Sequence, residues 1–299
     1  GVAFKMMDFC MDNGINFIDT ANIYNYGESE TIIGKWIKDK REQVVLATKG
    51  FFKMSDDPNN RGAGRKHLKN TVNHSLKRLQ TDYIDLFQIH MQDIETPIEE
   101  TLSALDELIR EGKILYIGCS NYTAYRLIES LWKADKNNLH SYVSLQAYYS
   151  LLCRDIEREI IPLLQNFGLG LLVWSPLARG FLSGKYHRNT HPEKGSRLHF
   201  WKDMYTKLDT EQNWEILEVV STIAKAHTAT PAQIAIAWLL TQKNVTSIII
   251  GATNFEQLKE NIESRDIILT EQELRDLQSV SAYIPGYPYD FLKGNAGTW

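Results

Sequence analysis

Short apolar runs alternate with helical patterns along this chain. Seven runs rich in β-branched and other apolar residues predict strands, at residues 15–20, 44–48, 84–89, 114–119, 143–147, 170–174 and 246–250. Between them lie helical patterns such as Ile98 to Arg110, where Leu102, Leu105, Leu108 and Ile109 form an apolar stripe. Strands that alternate with helices predict a parallel sheet, so we expect an α/β fold.

The chain begins within a helical pattern. Val2 to Cys10 predicts a helix in which Phe4, Met7 and Cys10 are spaced along one face. A closed barrel of eight strands would therefore need its first strand before Gly1. We expect that an N-terminal piece containing that strand is missing from the sequence.

The longest gap between predicted strands contains residues 178–210, which are rich in charge, glycine and proline and sustain no apolar period. This segment is either a solvated insertion or a lid over the mouth of a barrel. Beyond it, Thr230 and Pro231 predict a helix start, with threonine as N-cap and proline at the first helical position. No linker divides the chain, so we expect a single domain over residues 1–299.

Composition narrows the class of protein. Of the 299 residues, 43% are hydrophobic and 23% charged, the balance of a soluble globular protein. The net charge of −4 argues against a nucleic-acid or anionic-membrane partner. Cys10, Cys119 and Cys153 share no metal-site spacing, which indicates free thiols, a cytoplasmic location and no metal site. The sequence contains no run of about eighteen apolar residues, the length that indicates a membrane-spanning helix.

Polar residues follow three successive apolar runs. Asp19 ends the first run, with Tyr24 five positions later, Lys49 ends the second and His90 follows the third. In a parallel barrel the carboxyl ends of the strands converge on one face, where active sites form. Tyr24 is then the candidate proton donor, because an ammonium such as Lys49 stabilises phenolate and Asp19 can hold that ammonium by an ion pair. His90 could hydrogen-bond a carbonyl oxygen. The alternative is that each residue merely caps a loop.

Later strands end in groups suited to a nucleotide cofactor. Ser120, Asn121 and Gln146 offer hydroxyl and amide groups for a carboxamide, and Trp174 offers a flat plate for an aromatic ring, unless it is a core residue. The last run leads through Gly251 into a helix, whose free N–H groups suit phosphate. A Rossmann loop is excluded because Gly62-Ala63-Gly64 lacks the third glycine and a preceding strand.

Ordered motifs from start to finish resemble the aldo-keto reductase superfamily. The stretch from Gly14 to Ala21, with Tyr24 and Gly27-Glu28-Ser29-Glu30, resembles the first signature of this superfamily. The stretch from Leu79 to Leu86, leading into His90, resembles the second. Three further motifs resemble most the branch of bacterial aldo/keto reductases and potassium-channel β-subunits: Trp174-Ser175-Pro176-Leu177, Ser183-Gly184-Lys185 and the run from Gly251-Ala252 to Glu260-Asn261.

The resemblance implies a (β/α)8 TIM barrel that binds NADPH, and we expect the family's first strand and N-terminal hairpin to be missing from the sequence. By analogy, Asp19, Tyr24, Lys49 and His90 form a catalytic tetrad, with Tyr24 protonating the carbonyl oxygen. The implied cofactor-binding residues are Ser120, Asn121 and Gln146 at the carboxamide, Trp174 on the nicotinamide, Ser175, Pro176, Leu177 and Lys185 along the pyrophosphate, and Gly251, Thr253, Gln257, Glu260 and Asn261 around the adenosine. Many relatives have an arginine or lysine just after the glycine that corresponds to Gly251, where this chain has Thr253 and Asn254. Arg197 is expected to reach the 2′-phosphate instead, which favours NADPH over NADH.

Two functions fit this resemblance. The first is an NADPH-dependent oxidoreductase that reduces aldehydes or ketones to alcohols. The second is an NADPH-sensing regulatory subunit of low turnover, like the potassium-channel β-subunits. The partner is a small-molecule carbonyl substrate in the first case, and its identity and the oligomeric state stay open. An apolar pocket favouring aromatic or aliphatic aldehydes could be formed by Phe51, Phe52, Met91, Tyr122, Phe200 and Trp201.

Overall fold

A computed structural model describes residues 1–295 of the chain, and within them it contains seven β-strands and thirteen α-helices. The strands are β1 (Phe17–Asp19), β2 (Val45–Gly50), β3 (Ile84–Ile89), β4 (Ile114–Ser120), β5 (Ser144–Tyr148), β6 (Gly170–Trp174) and β7 (Val245–Ile248). The helices are α1 (Val2–Asp12), α2 (Glu28–Ile37), α3 (Arg65–Leu79), α4 (Ile98–Arg110), α5 (Ala124–Lys136), α6 (Ile160–Phe167), α7 (Arg197–Phe200), α8 (Lys202–Leu208), α9 (Glu211–Ala226), α10 (Pro231–Leu240), α11 (Phe255–Glu263), α12 (Glu271–Val280) and α13 (Tyr289–Gly294). The seven predicted strands are therefore confirmed.

The chain divides into two compact units. The first comprises Gly1–Ala147 and Leu163–Gly170, and the second comprises Tyr148–Pro162 and the described residues from Leu171 onward. The expected single domain over residues 1–299 stays a prediction.

In the first unit, β1 to β5 pair in sequence order, and every pairing is parallel. The register sets Lys49 of β2 beside Gln88 of β3, and Ser120 of β4 beside Gln146 of β5. Because parallel strands run in one direction, polar residues near their carboxyl ends are brought to the same edge of the sheet.

Apolar side chains of the strands and of the covering helices form the core of the first unit. Phe87 on β3 and Leu145 on β5 are fully buried, and so are Leu102, Leu105 and Leu108 on α4. Three of the four residues of the predicted stripe are thus on the buried face, Ile109 is half-buried, and the predicted bounds of the helix agree with those observed. Burial of these side chains excludes water from the inner sides of the strands that carry the polar edge.

A buried carboxylate joins α2, α3 and β2. Glu30 is fully buried, and its two oxygens accept hydrogen bonds from Thr48 Oγ1 at 2.6 Å and from Arg78 Nε at 2.7 Å. Arg78 also closes over Gly27, because a Cβ added there would lie 2.6 Å from Arg78 Cδ. The glycine therefore permits a contact that any larger residue would obstruct.

The second unit contains β6 and β7, which pair in parallel with Val173 opposite Ile248. Helix α10 begins at Pro231, with Thr230 and Gln233 forming a capping box, so the predicted helix start is confirmed. Residues 178–210 include a 3-10 segment, Ala178–Ser183, followed by α7 and α8. The sequence analysis missed these two short helices because they bury only Leu198, Tyr205 and Leu208, too few residues to display a period.

Candidate active site

A buried ammonium lies between a carboxylate and a phenol in the first unit. Lys49 Nζ donates to Asp19 Oδ2 at 2.5 Å, to the Thr20 carbonyl oxygen at 2.8 Å and to the Tyr24 hydroxyl at 3.5 Å. The Lys49 side chain is fully buried, whereas Tyr24 is 40% exposed. Tyr24 is thus the exposed member of this group.

Strand register brings Lys49 to Asp19. Asp19 ends β1 and pairs with Ala47 of β2, and Lys49 lies two residues farther along β2. Because alternate residues of a strand share a face, Ala47 and Lys49 point to the same side of the sheet. This geometry needs only a parallel pair of strands with the register observed here.

A tight turn presents Tyr24. It begins the 3-10 segment Tyr24–Gly27, and the next two residues, Asn25 and Tyr26, have positive φ angles of 49° and 52°. Non-glycine residues adopt this left-handed conformation at a cost, which the surrounding contacts must offset. Gly27, with φ of 92°, completes the turn and packs under Arg78. The Glu30–Arg78 ion pair is thus next to the turn that carries the phenol.

His90 lies beside Tyr24 and is uncharged near neutral pH. Its backbone N–H donates to the Gly50 carbonyl oxygen at 3.1 Å, and its ring meets the Tyr24 ring edge-on at a centroid distance of 5.7 Å. Burial foremost, and the Lys49 ammonium second, lower the pKa of His90 from 6.5 to about 3. Within residues 1–295, its buried Nδ1 atom has no hydrogen-bond partner.

An aromatic group extends from His90. The Phe52 ring lies 4.8 Å from the His90 ring, and Phe51 lies 5.4 Å from Phe52, both in edge-on contact. Met91, the next residue after the imidazole, is 39% exposed. Tyr122, which the sequence analysis placed in the same pocket, is instead buried, and its hydroxyl lies 3.4 Å from that of Tyr142.

Two glutamines hold the other oxygen of Asp19. Gln88 Nε2 and Gln146 Nε2 donate to Asp19 Oδ1 at 3.2 Å and 2.9 Å. Gln146 was expected at a cofactor carboxamide, and Gln88 was missed. Its signal was present in the sequence as one amide in the otherwise apolar end of β3, since a buried polar residue needs a partner.

Ser120 and Asn121 lie next to this group. Asn121 Nδ2 donates to the His90 carbonyl oxygen at 3.0 Å and to Ser120 Oγ at 3.1 Å, and Asn121 N donates to the Gln146 carbonyl oxygen at 3.1 Å. Asn121 has a positive φ of 55°, which asparagine tolerates better than most residues. The structure therefore brings together, in the first unit, the four predicted catalytic residues and the three residues predicted at the carboxamide. Their roles stay predictions.

The second unit contains the remaining predicted cofactor residues. Trp174 ends β6 and stacks on Tyr148 at a centroid distance of 4.9 Å. Pro176 is buried, Ser175 and Leu177 are half-buried, and Lys185 is exposed. Thus Trp174 has an aromatic neighbour that the sequence analysis did not identify.

Two arginines flank one tryptophan in the second unit. The guanidinium of Arg197 lies 5.1 Å from the Trp201 ring centroid, and that of Arg179 lies 4.7 Å from it and 5.8 Å from Trp174. Burial lowers the pKa of Arg179, although the group stays charged at neutral pH. The sequence analysis missed Arg179, which lies within the glycine-punctuated stretch after β6. Its backbone N–H donates to Ser175 Oγ at 3.0 Å.

The predicted adenosine segment surrounds the start of α11. Asn254 caps this helix by accepting from Gln257 N at 2.9 Å, and Thr253 Oγ1 donates to Gln257 Oε1 at 2.9 Å. Gly251 and Thr253 are exposed, Glu260 is half-buried and Asn261 is buried. The structure thus brings Thr253 and Gln257 into direct contact.

Other features of the described residues bear on the sequence predictions. Cys10, Cys119 and Cys153 are free thiols. In residues 1–295, no group of three or more His, Cys, Asp or Glu side chains could hold a metal ion, and no helix there has the length and apolarity to cross a membrane. A cavity of about 680 Å³ lies within segment 178–210 and is lined by Asn189, Thr190, His191, Pro192, Leu198, His199, Lys202, Tyr205, Thr206 and Asp209.

Comparison with known proteins extends the resemblance to nearly the whole chain. The model of the Aldo/keto reductase family matches residues 2–282. "Uncharacterized oxidoreductase YrpG" of Bacillus subtilis is 39% identical over 289 residues, which are 93% of this chain and 86% of that protein. "Probable voltage-gated potassium channel subunit beta" of Arabidopsis thaliana is 35% identical over 296 residues, 97% of this chain and 90% of that protein.

A third relative is named as a reductase. "Norsolorinic acid reductase" of Aspergillus flavus is 32% identical over 299 residues, 97% of this chain and 74% of that protein. The relatives include oxidoreductases and channel β-subunits, so the branch predicted from the sequence is confirmed. The predicted fold class, a (β/α)8 TIM barrel, is that of the matching family and is confirmed as well.

Proposed function

We propose a function that proceeds from one premise: the chain belongs to the aldo/keto reductase family. It is an oxidoreductase, and we infer that it reduces aldehydes or ketones to alcohols with NADPH, using Tyr24 as general acid. The oxidoreductases among its relatives support the general class, and the geometry around Lys49 supports the mechanism.

One observation carries the assignment of the acid. His90 has a pKa of about 3 and is uncharged at neutral pH, so it has no surplus proton to give. The Tyr24 hydroxyl lies 3.5 Å from the buried Lys49 ammonium, and Tyr24 is 40% exposed. The proton donor is therefore the phenol, and neutral His90 is left to orient the carbonyl through a hydrogen bond.

The protein groups have distinct tasks in the reduction. When bound, NADPH would supply a hydride to the carbonyl carbon. Tyr24 would give its hydroxyl proton to the carbonyl oxygen, so that the product is an alcohol. Lys49 stabilises the phenolate that remains, and Asp19 fixes Lys49 at 2.5 Å. Solvent at the exposed edge of Tyr24 restores the proton.

The first unit has a donor set that fits a carboxamide. Both side-chain N–H groups of Gln146 donate hydrogen bonds, to Asp19 Oδ1 at 2.9 Å and to Gln88 Oε1 at 3.4 Å. The side-chain oxygen Oε1 of Gln146 is therefore left to accept from an amide N–H. The Ser120 hydroxyl and the Asn121 amide lie next to it. These three residues would hold the nicotinamide carboxamide, as the resemblance implies.

Residues of the second unit are proposed to hold other parts of the cofactor. Trp174, Ser175, Pro176, Leu177 and Lys185 are assigned to the nicotinamide and pyrophosphate, and Gly251, Thr253, Gln257, Glu260 and Asn261 to the adenosine. Arg197 is exposed and its guanidinium lies over Trp201, which supports its assignment to the 2′-phosphate and the preference for NADPH. A cytoplasmic location is part of the same proposal and is supported by the three free thiols.

A second candidate is an NADPH-sensing subunit of low turnover. The similarity to potassium-channel β-subunits favours it, since one such protein matches 97% of this chain. In that case the same residues bind the cofactor, and a partner protein responds to whether the bound cofactor is oxidised or reduced. The filled catalytic positions in the first unit support the enzyme more strongly.

Steady-state NADPH oxidation with a panel of aldehydes and ketones separates the two candidates. The reductase predicts turnover that saturates with carbonyl concentration and consumes one NADPH per alcohol formed. The sensor predicts tight retention of NADPH with no turnover above the solvent background. Replacing NADPH by NADH in the same assay measures the cofactor preference.

A further inference from the structure

Gln88 is a fully buried amide at the centre of the predicted catalytic group. It lies on β3 beside Lys49 of β2 and Gly118 of β4, and its side chain is 0% exposed. The Gln88 Cγ atom would lie 3.4 Å from a Cβ added at Gly118, so the side chain packs closely against the neighbouring strand.

The chemistry of the partners fixes the orientation of both glutamine amides. An ionised carboxylate only accepts hydrogen bonds, so each amide atom that faces Asp19 Oδ1 must be the nitrogen. Gln88 Nε2 lies 3.2 Å from that oxygen and Gln146 Nε2 lies 2.9 Å from it. Gln88 Oε1 then accepts from Gln146 Nε2 at 3.4 Å. The three side chains form a closed ring of hydrogen bonds.

This ring divides the oxygens of Asp19 between two tasks. Oδ2 holds the Lys49 ammonium at 2.5 Å, and Oδ1 receives the two amides. The carboxylate is thereby prevented from turning, because rotation would break bonds on both oxygens. Gln88 also uses the second N–H of Gln146, which directs the oxygen of Gln146 away from the ring.

We propose that Gln88 is a positioning residue for carbonyl reduction: its amide fixes Asp19 toward Lys49 and turns the Gln146 oxygen toward the cofactor carboxamide. This inference rests on the proposed function. Gln88 acts through Asp19 and Gln146 and touches neither the substrate nor the hydride. Its effect on rate is therefore transmitted through the placement of Lys49 and Tyr24.

The first test compares Gln88→Met with wild type. Methionine has nearly the same length and removes both hydrogen bonds without adding a charge. We expect kcat to fall about 10- to 100-fold, the equivalent of one lost hydrogen bond to a charged group, with little change in KM for the carbonyl. Gln233→Met is the matched control, because Gln233 is also buried but bonds Thr230 in the second unit. It should leave kcat unchanged.

The second test does not depend on turnover. In ¹⁵N-labelled protein, the side-chain NH2 signals of Gln88 and Gln146 are identified by their loss in Gln88→Met and Gln146→Met. In wild type we expect the side-chain NH2 groups of both glutamines to be protected from hydrogen exchange. In Gln88→Met the acceptor Gln88 Oε1 is gone, so we expect the NH2 group of Gln146 to exchange faster. The same measurement on Gln233→Met should show an unaltered Gln146 pair.

The outcomes are separable. Wild type without carbonyl turnover would refute the proposed function, while the exchange measurement still decides whether Gln88 fixes Gln146. With active wild type, a Gln88→Met enzyme whose kcat stays within about twofold would overturn the positioning role. Rapid exchange of the Gln146 amide in wild type, or unchanged exchange in Gln88→Met, would overturn it as well.

Discussion

Lys49 Nζ lies 2.5 Å from Asp19 Oδ2, and the two side chains are 0% and 6% exposed. A buried ion pair gives little net stability, because desolvation of the two charges opposes their attraction. Removal of one partner is costly, because the other charge stays buried without compensation. The pair is therefore best understood as a device that keeps an ammonium next to the Tyr24 hydroxyl.

Lys49→Met should abolish turnover and destabilise the protein. The change leaves the Asp19 carboxylate with only the two glutamine amides, so we expect the free energy of unfolding to fall by about 3 kcal/mol. Urea unfolding measures this change, and NADPH oxidation measures the rate. The double variant Asp19→Asn with Lys49→Met should regain part of the lost stability without regaining activity. Equal unfolding midpoints for wild type and Lys49→Met would contradict the interpretation.

Tyr24→Phe should reduce kcat about 10²- to 10⁴-fold, the usual contribution of a general acid, while NADPH binding persists. Fluorescence titration with NADPH and steady-state kinetics measure the two effects separately. Tyr26→Phe is the matched control, because Tyr26 follows in the same turn but is 79% exposed. A rate near that of wild type in Tyr24→Phe would remove the phenol from the mechanism.

Acid should destabilise the cofactor-free protein partly through His90. Its pKa is about 3 in the folded protein and is ordinarily 6.5, so between these values the unfolded chain binds the additional proton. The contribution of His90 to the free energy of unfolding is therefore fully present above pH of about 6.5. It declines as the pH falls, by at most about 1.4 kcal/mol per pH unit. Urea unfolding as a function of pH measures the slope.

His90→Gln should flatten that slope in the range above the titration of carboxylates. Burial also lowers the pKa of His67, so His67→Gln should reduce the same slope of stability against pH. Comparison of the two variants separates the contributions of His90 and His67. If His90→Gln leaves the slope between about pH 6.5 and 5 unchanged, the imidazole is not buried in its neutral form.

The sequence pattern predicts the strands and places three of the four proposed catalytic residues near their ends, because these features are local. Buried parallel strands are short apolar runs, and Asp19, Lys49 and His90 are the polar residues near their ends. Gln88 shows why the rest could not be predicted, since an amide in an apolar strand indicates that it needs a partner but not which partner it has. Its role depends on a hydrogen bond to Asp19, 69 residues away in the chain, and on the register between strands, which no local pattern encodes.

The buried carboxylate of Glu30 is a second example. In the sequence it is one of several charges at the start of α2, where acidic residues commonly face solvent and favour the helix dipole. In the structure it is fully buried, and its partner Arg78 lies 48 residues later. Such a pair can be recognised only when the packing of two helices is known.

Arg78→Met should destabilise the protein and lower turnover. It leaves Glu30 with the Thr48 hydroxyl alone, and we expect a loss of about 3 kcal/mol in the free energy of unfolding. Because Arg78 also packs on Gly27, we expect the turn bearing Tyr24 to loosen and kcat to fall. Arg275→Met is the control, since its ion pair with Glu271 is exposed and should leave stability nearly unchanged. Similar effects of the two substitutions would contradict the role of the buried pair.

Arg197→Ala should weaken NADPH binding more than NADH binding. A guanidinium commonly forms a bidentate pair with a phosphate, and its loss should raise the Kd for NADPH about 10-fold or more while changing that for NADH less than about twofold. Isothermal titration with both nucleotides measures the ratio. Lys202→Ala is the matched control, since Lys202 is an exposed cation of the same segment.

Arg179 provides the internal comparison for the same experiment. Its guanidinium also lies over Trp201, at 4.7 Å. Arg179→Ala therefore tests whether loss of a cation from the Trp201 ring is enough to weaken nucleotide binding. We expect Arg179→Ala to affect both nucleotides alike, because neither its backbone contact with Ser175 nor its ring contacts distinguish a 2′-phosphate. If Arg197→Ala also affected both nucleotides alike, Arg197 would be excluded as the 2′-phosphate group, and a selective effect of Arg179→Ala would transfer that role to Arg179.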